Sequence, residues 1–169
     1  MRKLAGVIAV AALVAAVPTQ AVAQGAARPF NIGGQVSFGG DSDLGIGVRY
    51  ENQLNSLMPS MPTLRAVGSF DFFFPGQGVD WLEFNIGAVY GFSGMSGGAI
   101  TPYAGGGLNI ARVSVDLGTL GSSSNTEVGL NLIGGARFRA MGSMTPYAEV
   151  RLELGGGEQF VITGGLLFF

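Results

Sequence analysis

The chain offers acids and arginines for chemistry, but it has no histidine and no cysteine. A serine–histidine–acid arrangement, a disulfide and a thiolate metal site are therefore impossible. Two carboxylates can still act together as general acid and general base. Glu149 and Glu153 share one face of a predicted strand, about 13 Å apart at roughly 3.3 Å per residue. We favour a salt-bridge network for such acids, with a narrow ion path as the alternative, and expect no enzyme activity and no cofactor.

Five arginines and five acids of the predicted strands fall on one face, the polar one. Since a buried charge without a partner is very costly, equal numbers of both signs on that face predict mutual pairing. The bases are all arginine, whose planar guanidinium pairs with a carboxylate through two hydrogen bonds. Arg137 and Arg151 lie on neighbouring strands, and we expect each to pair with a carboxylate. The predicted interior network comprises Arg49, Glu51, Arg65, Asp71, Glu83, Arg137, Arg139, Glu149, Arg151 and Glu153.

The elements that position these charges are predicted to be strands, because residues from Phe30 onward alternate with a period of two. Successive side chains of a strand point to opposite faces, so each predicted strand has an apolar and a polar face. The alternation weakens after Ala111, and the last strand is apolar on both faces, so the pattern does not fix these two registers. The predicted strands are 30–39, 43–51, 63–74, 80–92, 100–115, 125–139, 144–154 and 159–169.

Aromatic side chains on the apolar face fall near the two ends of the predicted strands. Two aromatic belts around an aliphatic band are typical of a β-barrel in a bilayer. We therefore predict that the apolar face points outward and the polar face lines the interior. A soluble secreted barrel with the faces reversed is the alternative. One belt comprises Phe38, Phe72, Phe74, Phe84 and Phe160, and the other Phe30, Tyr50, Tyr90, Phe92, Phe138 and Phe168.

The first 23 residues have the pattern of a secretory signal peptide. Arg2 and Lys3 precede an apolar stretch of about 14 residues, and the small residues Ala21 and Ala23 follow. A charged start, a short apolar stretch and a small-x-small site are the features of such a peptide. A retained membrane helix is the alternative, but it needs about 20 apolar residues. We predict cleavage after Ala23, which leaves residues 24–169 as the barrel domain.

Further acids fall at the first, third, fifth and seventh predicted turns, whereas the turns 52–62, 93–99 and 140–143 carry no charge. A solvated polar rim is one interpretation of this asymmetry. The other is that divalent cations bridge these acids to lipopolysaccharide phosphates, because hard cations prefer carboxylate oxygens. The pattern does not define a firm metal site. The predicted rim comprises Asp41, Asp43, Asp80, Asp116, Glu127 and Glu158.

These features together resemble the small eight-stranded outer-membrane barrels of the OmpA/OmpX type, in the porin-like superfamily of Gram-negative bacteria. The resemblance rests on the signal peptide, on the Thr-Pro-Tyr strand openings at 101–103 and 145–147, and on a terminal strand that ends in Phe169. It implies an all-β, eight-stranded antiparallel up-and-down transmembrane β-barrel. In that family the barrel-assembly machinery recognises the terminal aromatic residue and the alternate positions before it, which implies Phe169 and Leu167 as the assembly signal.

The function we expect is that of a monomeric, structural, non-catalytic component of the bacterial outer membrane with a filled polar interior. Its expected partners are outer-membrane lipid, lipopolysaccharide and, during biogenesis, the barrel-assembly machinery. The formal net charge of −2 gives no basic footprint for nucleic acid. Two alternatives remain open: a passive narrow pore for small solutes or ions, and a surface adhesion or binding protein.

Overall fold

The computed structural model describes residues 30–76, 78–92, 99–116 and 118–168. The predicted signal peptide and Phe169 lie outside the described residues. None of the helices in the described part is long and apolar enough to cross a membrane. A single 3-10 turn covers Gly118–Leu120. The strands are β1 (Phe30–Gly39), β2 (Asp43–Gln53), β3 (Leu64–Phe73), β4 (Val79–Gly91), β5 (Ile100–Asp116), β6 (Ser122–Phe138), β7 (Met144–Gly155) and β8 (Phe160–Phe168).

The eight strands form a closed barrel in which each strand pairs with the next along the chain. All pairs are antiparallel, and β1 pairs with β8 to close the ring. Closure leaves the sheet without exposed edges along its paired length. The predicted all-β, eight-stranded up-and-down antiparallel barrel is confirmed.

The hairpin of β5 and β6 is longer than predicted, since each of its strands has 17 residues. The segment 122–124, which lies between two predicted strands, is the start of β6, and Asp116 pairs with Ser122. Gly118 and Gly121 have φ angles of 64° and 97°, which only glycine adopts without strain. These two glycines confine the reversal to a short segment, so the strands extend further.

The two ends of the barrel differ in the chain segments that they hold. We call the end that contains Phe30 and Phe168 the terminal end, because β1 begins and β8 ends there. The opposite end, which we call the distal end, holds the hairpins that join β1 to β2, β3 to β4, β5 to β6 and β7 to β8.

The strand registers place the apolar side chains outward and the polar side chains inward. Val36 and Leu130 on the outer face are 53% and 56% exposed, whereas Glu51 and Asp71 on the inner face are fully buried. Most members of the two aromatic belts are exposed on the outer face, and Phe30 stacks on Tyr50 within one belt at 5.9 Å. Apolar side chains are exposed and polar side chains are buried, which is the arrangement of a β-barrel surrounded by lipid.

The structure fixes the register of the last strand, which the sequence pattern left open. Leu167 is fully buried in the interior, and Thr163 also points inward. The exposed apolar series of β8 ends on Phe168, which is 49% exposed. The lipid-facing series therefore includes Phe160 and Phe168, as the predicted aromatic belts require, and Leu167 faces the interior. The role of Leu167 and Phe169 as an assembly signal stays a prediction.

Glycines of the inner face make room for rings on the neighbouring strand. Tyr103 lies directly opposite Gly135, and Tyr147 lies directly opposite Gly165. A Cβ added at Gly135 would overlap the Tyr103 ring and the carbonyl oxygen of Ala148. Aromatic side chains thus cover glycines across the strand pairs, which allows large rings inside a narrow barrel.

We expect Gly135→Ala to lower the free energy of unfolding by about 1–3 kcal/mol, because the added methyl group overpacks the interior. Gly134 provides the matched control, since it faces outward and its nearest neighbour is the Val150 methyl at 3.8 Å. Urea unfolding of both variants in lipid vesicles measures the difference. Equal stabilities for Gly135→Ala and Gly134→Ala would contradict the close packing of Tyr103.

Candidate functional site

The first group of interior charges lies toward the terminal end and is called the terminal cluster; it comprises Arg49, Glu51, Arg65, Arg137 and Glu149. The Arg49 guanidinium joins two carboxylates, with Nε 2.9 Å from Glu51 Oε1 and Nη2 2.9 Å from Glu149 Oε2. Arg137 Nε donates a hydrogen bond of 3.0 Å to Glu51 Oε2. The two carboxylates are thereby held by arginines from different strands.

Two tyrosines complete the terminal cluster, and both come from the Thr-Pro-Tyr repeats. The Tyr103 hydroxyl donates to Glu149 Oε2 at 2.9 Å, and the Arg137 guanidinium lies 4.4 Å from the centre of the Tyr103 ring. Arg49 lies 4.8 Å from the Tyr147 ring in the same way. A guanidinium over an aromatic face is attracted by the ring quadrupole. Each copy of the repeat therefore places a tyrosine ring against an arginine, a role that the sequence pattern does not predict.

The second group of interior charges, the distal cluster, comprises Asp71, Glu83, Arg151 and Glu153. Arg151 is at its centre, with Nη2 3.4 Å from Asp71 Oδ2 and 3.5 Å from Glu83 Oε2. Its Nε lies 3.4 Å from Glu153 Oε1. Trp81 Nε1 also donates to Glu83, at 2.8 Å. One guanidinium therefore contacts three buried carboxylates.

A layer of amides separates the two clusters. Asn85 Oδ1 accepts hydrogen bonds from Asn109 Nδ2 at 2.9 Å and from Asn131 Nδ2 at 2.6 Å. Asn85 Nδ2 donates to Ser69 Oγ at 3.3 Å. The cavity at this level, between Arg49 and Arg151, has a volume of about 10 Å³, which is roughly the space for one water molecule. All three asparagines occupy inward positions of the alternating pattern, but alternation alone does not predict that they meet in one layer.

The two clusters carry unequal formal charge. The terminal cluster has three guanidiniums and two carboxylates, and the distal cluster has one guanidinium and three carboxylates. The predicted equality of signs therefore does not apply locally. The three carboxylates of the distal cluster repel one another, and this repulsion is strong in a poorly solvated interior. Arg151 is the positive charge that offsets it.

Arg139 is the one predicted interior charge that the structure places elsewhere. β6 ends at Phe138, and Arg139 follows it as an exposed residue. Its backbone N–H donates to the Ala99 carbonyl at 2.8 Å, but the residue is exposed and does not face the barrel interior. The prediction is wrong because alternation does not show where a strand stops.

The acids of the predicted rim are all exposed near the distal end, but they do not assemble as a metal site. Asp116 Oδ1 accepts the Gly118 N–H at 2.9 Å, and Glu127 accepts the Gly157 N–H at 3.1 Å. Among the described residues, no group of three or more acids is placed to hold a metal ion. At least two of the acids also stabilise turns, and bridging of these acids to lipopolysaccharide phosphates by divalent cations stays a prediction.

Comparison with known proteins finds similarity in solved structures only. No family model matches the chain, and no curated protein matches it. Neisserial surface protein A (NspA) superposes with a TM-score of 0.59 at 19% identity, covering 85% of this chain and 99% of that chain. Ail, the attachment invasion locus protein of Yersinia pestis, gives 0.54 at 16%, covering 82% and 93%. A de novo designed transmembrane β-barrel gives 0.51 at 12%, covering 86% and 98%.

These similarities define the class of fold. A closed eight-stranded antiparallel barrel with an exposed apolar band and a polar interior has the architecture of the small outer-membrane β-barrels. At such low identity the similarity shows the fold and assigns no function.

Proposed function

We propose that this protein is a structural, non-catalytic outer-membrane barrel whose interior is closed to solutes. The observation that carries the proposal is the filling of the barrel interior by the two ion clusters and the hydrogen-bonded asparagines. The cavity between Arg49 and Arg151 has a volume of only about 10 Å³. A pore for solutes needs a continuous aqueous path, as larger barrels have. The filled interior favours the structural role over the passive pore.

The buried acids also support a non-catalytic role. A general acid or base must come within hydrogen-bonding distance of a substrate. Glu51, Glu83 and Glu149 are at most 2% exposed, and arginine, tryptophan or tyrosine side chains donate to them. The carboxylates thus serve as partners of other side chains.

Single-channel recording in planar lipid bilayers tests the closed interior. We expect the wild-type barrel to produce no regular current steps. The same preparation should show a shifted gel mobility without boiling, which serves as the control for correct folding and insertion. Regular, reproducible steps from folded protein would overturn the proposal in favour of the pore.

The placement that we propose is the bacterial outer membrane, as a monomer. The exposed apolar band between the aromatic belts suits a bilayer with two interfaces. Lipid therefore surrounds the barrel, and lipopolysaccharide adjoins the acidic distal end when the terminal end faces the periplasm. The barrel-assembly machinery is the proposed partner during biogenesis.

We expect deletion of Phe169, and separately Phe169→Asp, to reduce insertion and raise periplasmic degradation, because the resemblance makes Phe169 the end of the assembly signal. Immunoblots of fractionated outer membranes measure the level of inserted protein. Ser124→Asp, at an exposed position of β6, is the control and should insert normally. Wild-type levels for both Phe169 variants would argue against recognition by the assembly machinery.

A surface-binding role is the second candidate, and the distal hairpin favours it. The pairing of β6 with β7 begins at Gly129, so the exposed segment 122–126 has no β7 partner in the described register. A free strand edge can bind an extended polypeptide through main-chain hydrogen bonds. Ail has been solved with the heparin analogue sucrose octasulfate, but the acids around this distal end disfavour such a polyanion.

Adhesion to immobilised extracellular-matrix protein tests this candidate. Cells that display the wild type should adhere more than cells with lysine at Ser122, Ser123 and Ser124, because edge lysines oppose strand addition. Equal adhesion of wild-type and variant cells, at equal surface levels of the protein, would contradict the surface-binding role.

A further inference from the structure

The mouth of the barrel at the terminal end contains a small basic cavity. Its volume is about 230 Å³, and Arg65 and Arg137 line it together with Gln53, Thr63 and Thr101. The lining contains no acidic residue. A water molecule occupies roughly 30 Å³ in the liquid, so the cavity has room for a small ion and several waters.

The loop between β2 and β3 shapes one wall of this cavity. Residues 54–63 are held by backbone hydrogen bonds, including Leu54 N–H to the Leu64 carbonyl and Leu64 N–H to the Met61 carbonyl, both at 3.0 Å. The Gly91 N–H donates to the Thr63 carbonyl at 3.3 Å, which fixes Thr63 against β4. The polar lining is thus held by backbone structure on two sides.

Several donors in this cavity are not used by the protein. Arg65 Nη1 lies 3.9 Å from Glu51 Oε2, which is beyond hydrogen-bonding distance. Arg137 is 8% exposed and pairs with Glu51 Oε2 through Nε at 3.0 Å and Nη2 at 2.9 Å, which leaves its Nη1 without an acidic partner within the described residues. The buried Thr63 hydroxyl oxygen has no hydrogen-bond partner there either. Unsatisfied buried polar groups are rare in native proteins and indicate a missing partner.

The charge of the surroundings indicates which partner is missing. Glu51 is already bonded to Arg49 and Arg137, and the terminal cluster has one more guanidinium than carboxylates. Two guanidiniums on one cavity repel each other, and an anion between them removes that repulsion. A planar guanidinium donates two parallel hydrogen bonds to an oxyanion, and phosphate accepts from several donors at once.

We propose that this cavity binds a phosphate group through Arg65 and Arg137, with the Thr63 hydroxyl as a further donor. The phosphate is either free in solution or part of a phospholipid headgroup in the adjacent leaflet. The site shares Arg65 and Arg137 with the terminal cluster, but it does not require an open path through the interior, because the cavity lies at the mouth of the barrel.

Titration of the full-length protein, folded in an uncharged maltoside detergent, tests the site with inorganic phosphate. Chloride keeps the ionic strength constant, and calorimetry measures the dissociation constant. We expect saturable binding to the wild type and binding at least about tenfold weaker to Arg65→Gln, since a hydrogen bond to a charged group contributes that much or more. Arg139→Gln removes an exposed arginine outside the cavity and should bind like the wild type.

A second arm uses nanodiscs that contain phosphatidylglycerol and records the arginine side-chain NMR signals. A change in these NMR signals that is lost in Arg65→Gln, together with no binding of inorganic phosphate, would identify the lipid headgroup as the source of the bound phosphate group. Binding of inorganic phosphate alone would identify the free ion. Thr63→Val is the alternative variant if Arg65→Gln does not show the heat-shifted gel mobility of a folded barrel. No response in either arm, or equal losses in the Arg65→Gln and Arg139→Gln variants, would overturn the proposal.

Discussion

Replacement of Arg151 by alanine is expected to lower the free energy of unfolding by about 3–5 kcal/mol. Arg151 is 1% exposed and is the guanidinium that contacts Asp71, Glu83 and Glu153. Its removal leaves these carboxylates together in the interior without the positive charge that they share. The cost comes mainly from uncompensated buried charge, since water cannot solvate these carboxylates. Equilibrium unfolding in urea, with the protein in lipid vesicles, measures the loss.

Two further variants separate this effect from the general loss of an arginine. Arg139→Ala removes an exposed arginine and should change the stability by less than about 0.5 kcal/mol. Adding Glu153→Gln to Arg151→Ala removes one of the carboxylates left without a positive partner, and should restore part of the lost free energy of unfolding. An Arg151→Ala barrel as stable as the wild type would show that the distal cluster does not depend on this guanidinium.

Leu132→Arg is expected to lower the stability of the inserted barrel by about 2–4 kcal/mol. Leu132 is 55% exposed on the outer face of β6, between Val128 and Phe138, so it faces the hydrocarbon region of a surrounding bilayer. A charged side chain at that depth must leave water or distort the bilayer. Reversible unfolding from vesicles of defined lipid composition measures the cost.

A position on the same strand but outside the apolar band provides the control for the Leu132→Arg prediction. Ser124 lies on the same strand near the distal end, beyond the apolar band. Ser124→Arg should therefore change the stability by no more than about 1 kcal/mol, as near an interface. Equal effects of Leu132→Arg and Ser124→Arg would mean that both positions meet the same solvent, which conflicts with a membrane-spanning band.

Alternation was sufficient to predict the barrel wall. In β6, Leu130 and Leu132 point outward while Asn131 and Ile133 point inward, and the exposure of each follows from its parity. The ends of the strands were harder to predict, because they depend on turn geometry and pairing. Gly121 permits the early start of β6 at Ser122, and the end of β6 at Phe138 leaves Arg139 outside.

The partners inside the barrel depend on closure and cannot be read from one strand at a time. Arg49 on β2 contacts Glu149 on β7, and Arg151 on β7 contacts Asp71 on β3. These strands are not neighbours, so the contacts cross the lumen. Residue type and parity predict that such charges face inward, but the strand stagger decides which of them meet.

The native tryptophan permits the most direct test of which face is inside. Trp81 is the single tryptophan of the chain, and its indole Nε1 donates to the buried Glu83. In vesicles of lipids brominated on their acyl chains, we expect weak quenching of Trp81 fluorescence. The double variant Trp81→Phe/Leu132→Trp should be strongly quenched, because position 132 faces lipid. Strong quenching of the wild type together with weak quenching of the double variant would contradict a barrel with its polar face inside.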